Sequence, residues 1–172
     1  AKNLHRFDTD RRTLSNALGN EISGYKPAND LIYYVSNAPA SLEQPTDGIT
    51  YGAIWKMDAD GSRKTQVSEP FSLAGAYEVL VSPRNDIGLL QKEGSVLMVI
   101  VAKDGKQYAE RIDEGIIQAV WSQAADEEHI LVYASQHELS AYLFEAGRHE
   151  TITRVSQHIR HIIPYPEYEY LV

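Results

Sequence analysis

The sequence predicts an all-β chain: a β-propeller of four blades, each of four antiparallel strands, with one blade shared between the N- and C-terminal hairpins. Three observations lead there. Ala53 to Ser68 reads as two extended runs around Asp60-Gly61, a dipeptide suited to the positive φ angles of a tight hairpin. The plan recurs at Asp104-Gly105, at Gly147 and at Asp8 to Arg11. Once one long loop is discounted the spacing is roughly 43 residues, the period of a four-stranded propeller blade. Finally, the chain starts in the phase of strands three and four of a blade and stops in the phase of strands one and two. The two halves would therefore add up to one blade and close a ring without exposed sheet edges.

Taken in order, Leu4 to Asn16 is strand, turn, strand, and Leu18-Gly19-Asn20 breaks the pattern. The next unit begins at Ile22, with a Pro27-Ala28-Asn29-Asp30 turn and then Leu31 to Val35, an unbroken apolar run suited to a strand buried on both faces. Asn37 to Gly52 has two prolines, two glycines and no periodicity, which makes it a loop of unusual length. The hairpin Ala53 to Ser68 completes the unit. In the following unit Ser82 to Asp86 takes the place of Lys26 to Asp30, and Lys92-Glu93-Gly94 replaces the long loop. A further copy carries Trp121-Ser122-Gln123 where Val81-Ser82-Pro83 stood, and His158 to Val172 is again strand, Pro-containing turn, strand. The expected organisation is a single domain over 1–172, with half-blades at 1–17 and 158–172 and full blades at about 20–69, 75–114 and 115–157. Almost no helix is expected. Leu4 to Asn20 lacks an i, i+3, i+4 apolar stripe, and Ala124 to Gln136 is dominated by the acidic turn Asp126-Glu127-Glu128. The rival architectures are a fragment of a larger propeller, which would expose sheet edges at both ends, and an open antiparallel sandwich, which would not account for the recurring turns.

A chain of 172 residues is long enough to bury a substantial core. It has 16 Lys and Arg against 24 Asp and Glu, a formal net charge of −8, which opposes a nucleic-acid partner. No apolar run approaches the ~18 residues of a membrane-spanning helix. With 0 Cys, the sequence leans weakly toward a periplasmic or extracellular setting. The absence of an initial Met at Ala1 reads as processing or excision, and no leader is visible.

One set of residues carries a family resemblance. Tyr25-x-Pro27, then Asp30-Leu31-Ile32-Tyr33-Tyr34-Val35-Ser36, then Ile54-Trp55-x-Met57-Asp58-Ala59-Asp60-Gly61-Ser62, resembles the WD-like repeat of TolB-like propellers and of the non-catalytic propellers in dipeptidyl-peptidase-type enzymes. That repeat pairs a W-S-P-D-G turn with an extended strand and an aspartate-glycine hairpin. This chain departs from it where Ser82-Pro83 lacks a preceding aromatic, Trp121-Ser122 lacks the proline and Gly147 lacks its aspartate. The resemblance implies a non-catalytic module, part of a larger envelope or exported protein, that engages a protein or peptide on one face.

Candidate chemistry is sparse. His158 and His161 lie three apart, which on a strand places them on opposite faces, so a metal site shared with His149 and Glu150 is not expected. Asp58-x-Asp60-Gly61 resembles the opening of a calcium loop, but Arg63 and Lys64 stand where oxygen ligands belong. Neither a nucleophile elbow nor a phosphate-binding glycine loop occurs, and no cofactor is expected. The C-terminal tyrosines Tyr165, Tyr168 and Tyr170 read as wedges between blades. The partner-binding residues expected are those of the long loop: Leu42, Glu43, Gln44, Thr46, Asp47 and Tyr51. The alternative is an accessory propeller of a peptidase or glycan-active enzyme, with Glu78 or Glu114 acting beside a histidine at a central opening. A spacer without a ligand is the third reading.

Overall fold

A computed structural model describes residues 2–4, 7–8, 13–14, 19–37, 48–122, 130–164 and 170–171 of the chain. These residues form antiparallel sheets and no helix, so the all-β class expected from the sequence holds. Two compact units are distinguished, residues 1–79 with 100–109 and residues 80–99 with 110–172.

In the first unit, β1 (Lys2–Leu4) pairs with β4 (Gly19–Ile22) around a short hairpin of β2 (Phe7–Asp8) and β3 (Thr13–Leu14). The full sheet that follows is β5 (Gly24–Ala28), β6 (Leu31–Asn37), β7 (Tyr51–Asp58) and β8 (Thr65–Gln66), in that order, with β9 (Phe71–Ser72) pairing back onto the start of β7. The N-terminal segment has the pairing pattern of the last strands of this sheet: β2 pairs with β3 as β7 pairs with β8, and β4 returns onto β1 as β9 returns onto β7. The break expected at Leu18 to Asn20 is thus corrected in part, because Gly19 and Asn20 already belong to the returning strand.

Turn chemistry fixes the registers. Asn29 and Asp30 both have positive φ, 51° and 62°, as do Asp104 and Gly105 at 52° and 76°. These are two-residue turns whose twist matches the flanking strands. The first is narrower than Pro27 to Asp30. Pro27 stays within β5, where a missing amide is tolerated because β5 lies at the end of its sheet. After β7, Val67 N donates to Ile54 O at 2.7 Å, and the buried Ser68 Oγ accepts from Ile54 N at 3.0 Å.

A second sheet runs β10 (Tyr77–Val81), β11 (Ile87–Gln91), β12 (Val96–Lys103), β13 (Lys106–Asp113). Its first turn is built by Ser82. The buried Ser82 Oγ accepts from Arg84 N at 3.2 Å and Asp86 N at 2.9 Å and donates to Asp86 Oδ2 at 2.7 Å. A third sheet, in the second unit, runs β14 (Gln118–Trp121), β15 (Ile130–Ala134), β16 (Glu138–Leu143), β17 (Arg148–Arg154), and β18 (Ile163–Pro164) pairs with β19 (Tyr170–Leu171). Among the described residues the β2-β3 and β18-β19 pairs are each two-stranded sheets.

The two middle strands of the third sheet, β15 and β16, are buried on both sides, whereas every residue of β17 is exposed. Successive residues of a strand point to opposite faces, so a strand covered on one face alternates between buried and exposed. β15 does not alternate: Leu131, Val132, Tyr133 and Ala134 are all buried. Leu131 meets Gly88 of β11, where an added Cβ would lie 3.3 Å from Leu131 Cδ2. Val132 and Ala134, on the other face, pack with Leu139, Ile159 and Ile162. The same holds for Tyr33, Tyr34 and Val35 of β6, as the apolar run Leu31 to Val35 leads one to expect. Tyr34 joins Ile22 and Met57 in a cluster to which Leu4 of β1 adds.

Candidate functional site

The C-terminal segment 155–162 is the exception to strand geometry. A strand was expected from His158, but between His158 and Pro164 only Ile163 and Pro164 are extended in a ladder. Its backbone is held by the third sheet instead. Val155 N donates to His137 O at 2.9 Å and Ile159 N to Gln136 O at 2.8 Å. The Gln118 side chain clamps Ile162, accepting from its N–H at 2.8 Å and donating to its carbonyl at 3.0 Å. Ile159 and Ile162 are buried, three residues apart, while His158, Arg160 and His161 are exposed.

This overturns the placement of the two histidines on opposite faces, because the period-two rule does not apply to an irregular segment. His158 and His161 instead line the same open depression, of about 1120 Å³, with Arg160, Gln136, Ile117 and Ile163 among their neighbours. The His158 ring meets the edge of His137 with centroids 4.6 Å apart. Ile117 and Ile163, 39% and 58% exposed, supply apolar surface. The site therefore combines imidazole and guanidinium donors, two carboxamides and three aliphatic side chains, and among the described residues its lining has no carboxylate.

The other expected sites fall out differently. Tyr51 is half-buried in β7 opposite Ser72, while Leu42, Glu43, Gln44, Thr46 and Asp47 lie outside the described residues. Asp126, Glu127, Glu128, Tyr165 and Tyr168 lie outside them too, and Tyr170 falls on β19. Asp58 and Asp60 serve their own turn: Asp58 Oδ2 accepts from Arg63 Nε at 2.6 Å and Ser62 Oγ at 3.0 Å, and Asp60 Oδ1 accepts from Ser62 N at 2.8 Å. The Ser62 hydrogen bonds hold the Asp60 carboxyl below the usual carboxylate range. Glu114 pairs with Arg111, and Glu150 with Arg148 at 2.8 Å. Glu78 is half-buried on β10. Among the described residues no three His, Cys, Asp or Glu side chains converge on a point that would hold a metal ion. No helix among them is long and apolar enough to cross a membrane.

The spacing that reveals the depression was present in the sequence. Apolar Ile159 and Ile162 and imidazole-bearing His158 and His161 are both offset by three, a pattern no strand satisfies with one face buried. Compared with known proteins, the chain matches no family model and no curated sequence.

Proposed function

We propose that the chain is a four-bladed β-propeller of the TolB-like kind, closed by its terminal half-blades, and that it acts as a non-catalytic module binding a protein or peptide within a larger exported or envelope protein. The observation that carries this reading is the burial of β15, a middle strand of the third sheet, on both faces, by β11 on one side and by Ile159 and Ile162 on the other. Radial stacking of blades produces that pattern, whereas a two-layer sandwich leaves one face of each sheet to water. The pairing pattern of β1 to β4 and the clamp of Gln118 on Ile162 support the terminal halves as members of the same series. Binding is supported by the depression at 155–163, whose exposed isoleucines and polar donors suit an extended peptide better than a small reactive substrate. The absence of Cys is in keeping with an exported setting.

The test is selection of peptides from a random display library on the immobilised full chain, followed by rebinding to Ile117→Glu. Ile117 is exposed, so this variant keeps the fold, which circular dichroism checks. Selected peptides should lose at least about tenfold in affinity for the variant, as expected for a contact at the centre of an interface. Failure to enrich any peptide, or enrichment of peptides indifferent to the substitution, would overturn the reading.

A further inference from the structure

We infer that the depression at 155–163 takes an acidic peptide segment, one carrying Asp or Glu next to an aliphatic residue; this deepens the binding-module reading and rests on it. The chain as a whole carries a formal charge of −8, and yet among the described residues this lining presents Arg160, His158 and His161 without an acidic side chain. Arg160 is uncommitted. The ion pairs among the described residues engage Arg63, Arg84, Lys106, Arg111, Arg148 and Arg154, and none engages Arg160.

The nearest acid in sequence to His137 is already occupied. Glu138 accepts from Arg154 Nε at 2.6 Å and from Ser140 Oγ and Thr151 Oγ1, each at 3.0 Å. It is thereby removed as an internal partner for the cationic lining. A guanidinium fork matches a carboxylate in two parallel hydrogen bonds, and the imidazole N–H groups and the Gln136 amide add donors around it. Ile117 and Ile163 offer the flanking apolar contact. Selectivity would come from the charge contrast, since a basic peptide meets only like charge here.

The experiment compares three fluorescent peptide pools binding the full chain, measured by anisotropy. The pools share Leu and Ile positions and differ only in carrying Glu, Gln or Lys between them. The Glu pool should bind at least about tenfold more tightly than the Gln pool at low salt and lose most of that advantage at high salt. Arg160→Gln should abolish the preference for the Glu pool over the Gln pool, and Arg160→Glu should reverse it toward the Lys pool. Equal binding of the Glu and Gln pools, or a preference that survives Arg160→Gln, would overturn the acidic-ligand inference and leave the binding-module reading standing. Binding of no pool would overturn both.

Discussion

Gly24 sits where the first strands of two sheets, β5 and β10, meet, and its replacement by alanine is a sensitive probe of that packing. Tyr77 N donates to Ser23 O at 2.9 Å, and a Cβ on Gly24 would lie 2.1 Å from Tyr77 O and 2.9 Å from its carbonyl carbon. The obstruction is backbone, which cannot rotate away. Relief requires β5 and the start of β10 to separate by about an ångström, enough to lose the Ser23–Tyr77 bond, worth about 1 kcal/mol. Overpacking adds about 1–3 kcal/mol. Because Gly24 does not have positive φ, alanine there would otherwise be favoured by about 0.5–1 kcal/mol, so the sign of the effect reports space alone. Gly24→Ala should therefore cost about 1–3.5 kcal/mol in urea unfolding and lower Tm by about 2–14 °C. Gly105→Ala is the control: φ is 76°, nothing lies within 4 Å of its added Cβ, and the strain of the left-handed conformation alone should cost about 1 kcal/mol. A Gly24→Ala variant as stable as the parent, or less affected than Gly105→Ala, would refute the close approach of these strands.

Three further outcomes follow from the same packing. Ser82→Ala removes the acceptor of two turn amides and a donor to the Asp86 carboxylate, and should cost about 1–3 kcal/mol by urea unfolding. Burial, helped by the nearby Asp113 charge, pushes the Tyr133 phenol up to about 12 from its ordinary 10.0. Its protonated form is therefore favoured by folding, so this contribution is intact below pH 10 and is lost as pH rises from 10 toward 12. Tyr133→Phe should flatten that alkaline loss only in part, since burial also raises Tyr33, Tyr34 and Tyr142; an unchanged profile would count against the buried setting of Tyr133. Glu138 is the opposite case: Arg154, then Ser140 and Thr151, hold its carboxyl below the ordinary 4.5. Its contribution is present above that value and is lost as pH falls through the lowered one, so Glu138→Gln should flatten the acid limb of stability, read by thermal melts across pH.

What the sequence shows of this fold is mostly its turns. Asn29-Asp30, Asp104-Gly105 and Gly147 punctuate the strands because few other residues tolerate their backbone angles, and that constraint is local enough to read directly. The apolar run Leu31 to Val35 likewise announces a strand covered twice. Long-range pairing is less visible. Gly19 and Asn20 read as a break because nothing in their immediate neighbours announces Lys2 to Leu4 as the partner strand. Segment 155–162 misleads for a related reason: its backbone partners are Gln136, His137 and the side chain of Gln118, distant in sequence, and the local sign of its irregularity is the spacing of three between Ile159 and Ile162. The depression was missed with it, since two histidines three apart look divergent only if the segment is a strand.

Cross-linking of the chain's two terminal hairpins tests the proposed ring closure most directly, and the absence of native cysteine leaves engineered pairs unambiguous. If β1 and β2 supply the third strand of a shared blade and β19 the second, one of the pairs joining Leu4→Cys or Phe7→Cys to Tyr170→Cys or Leu171→Cys should form an intramolecular disulfide in good yield under mild oxidation, because bridged residues need Cα atoms within about 7 Å. Monomeric, folded variants that remain fully reduced in all four pairings would contradict ring closure.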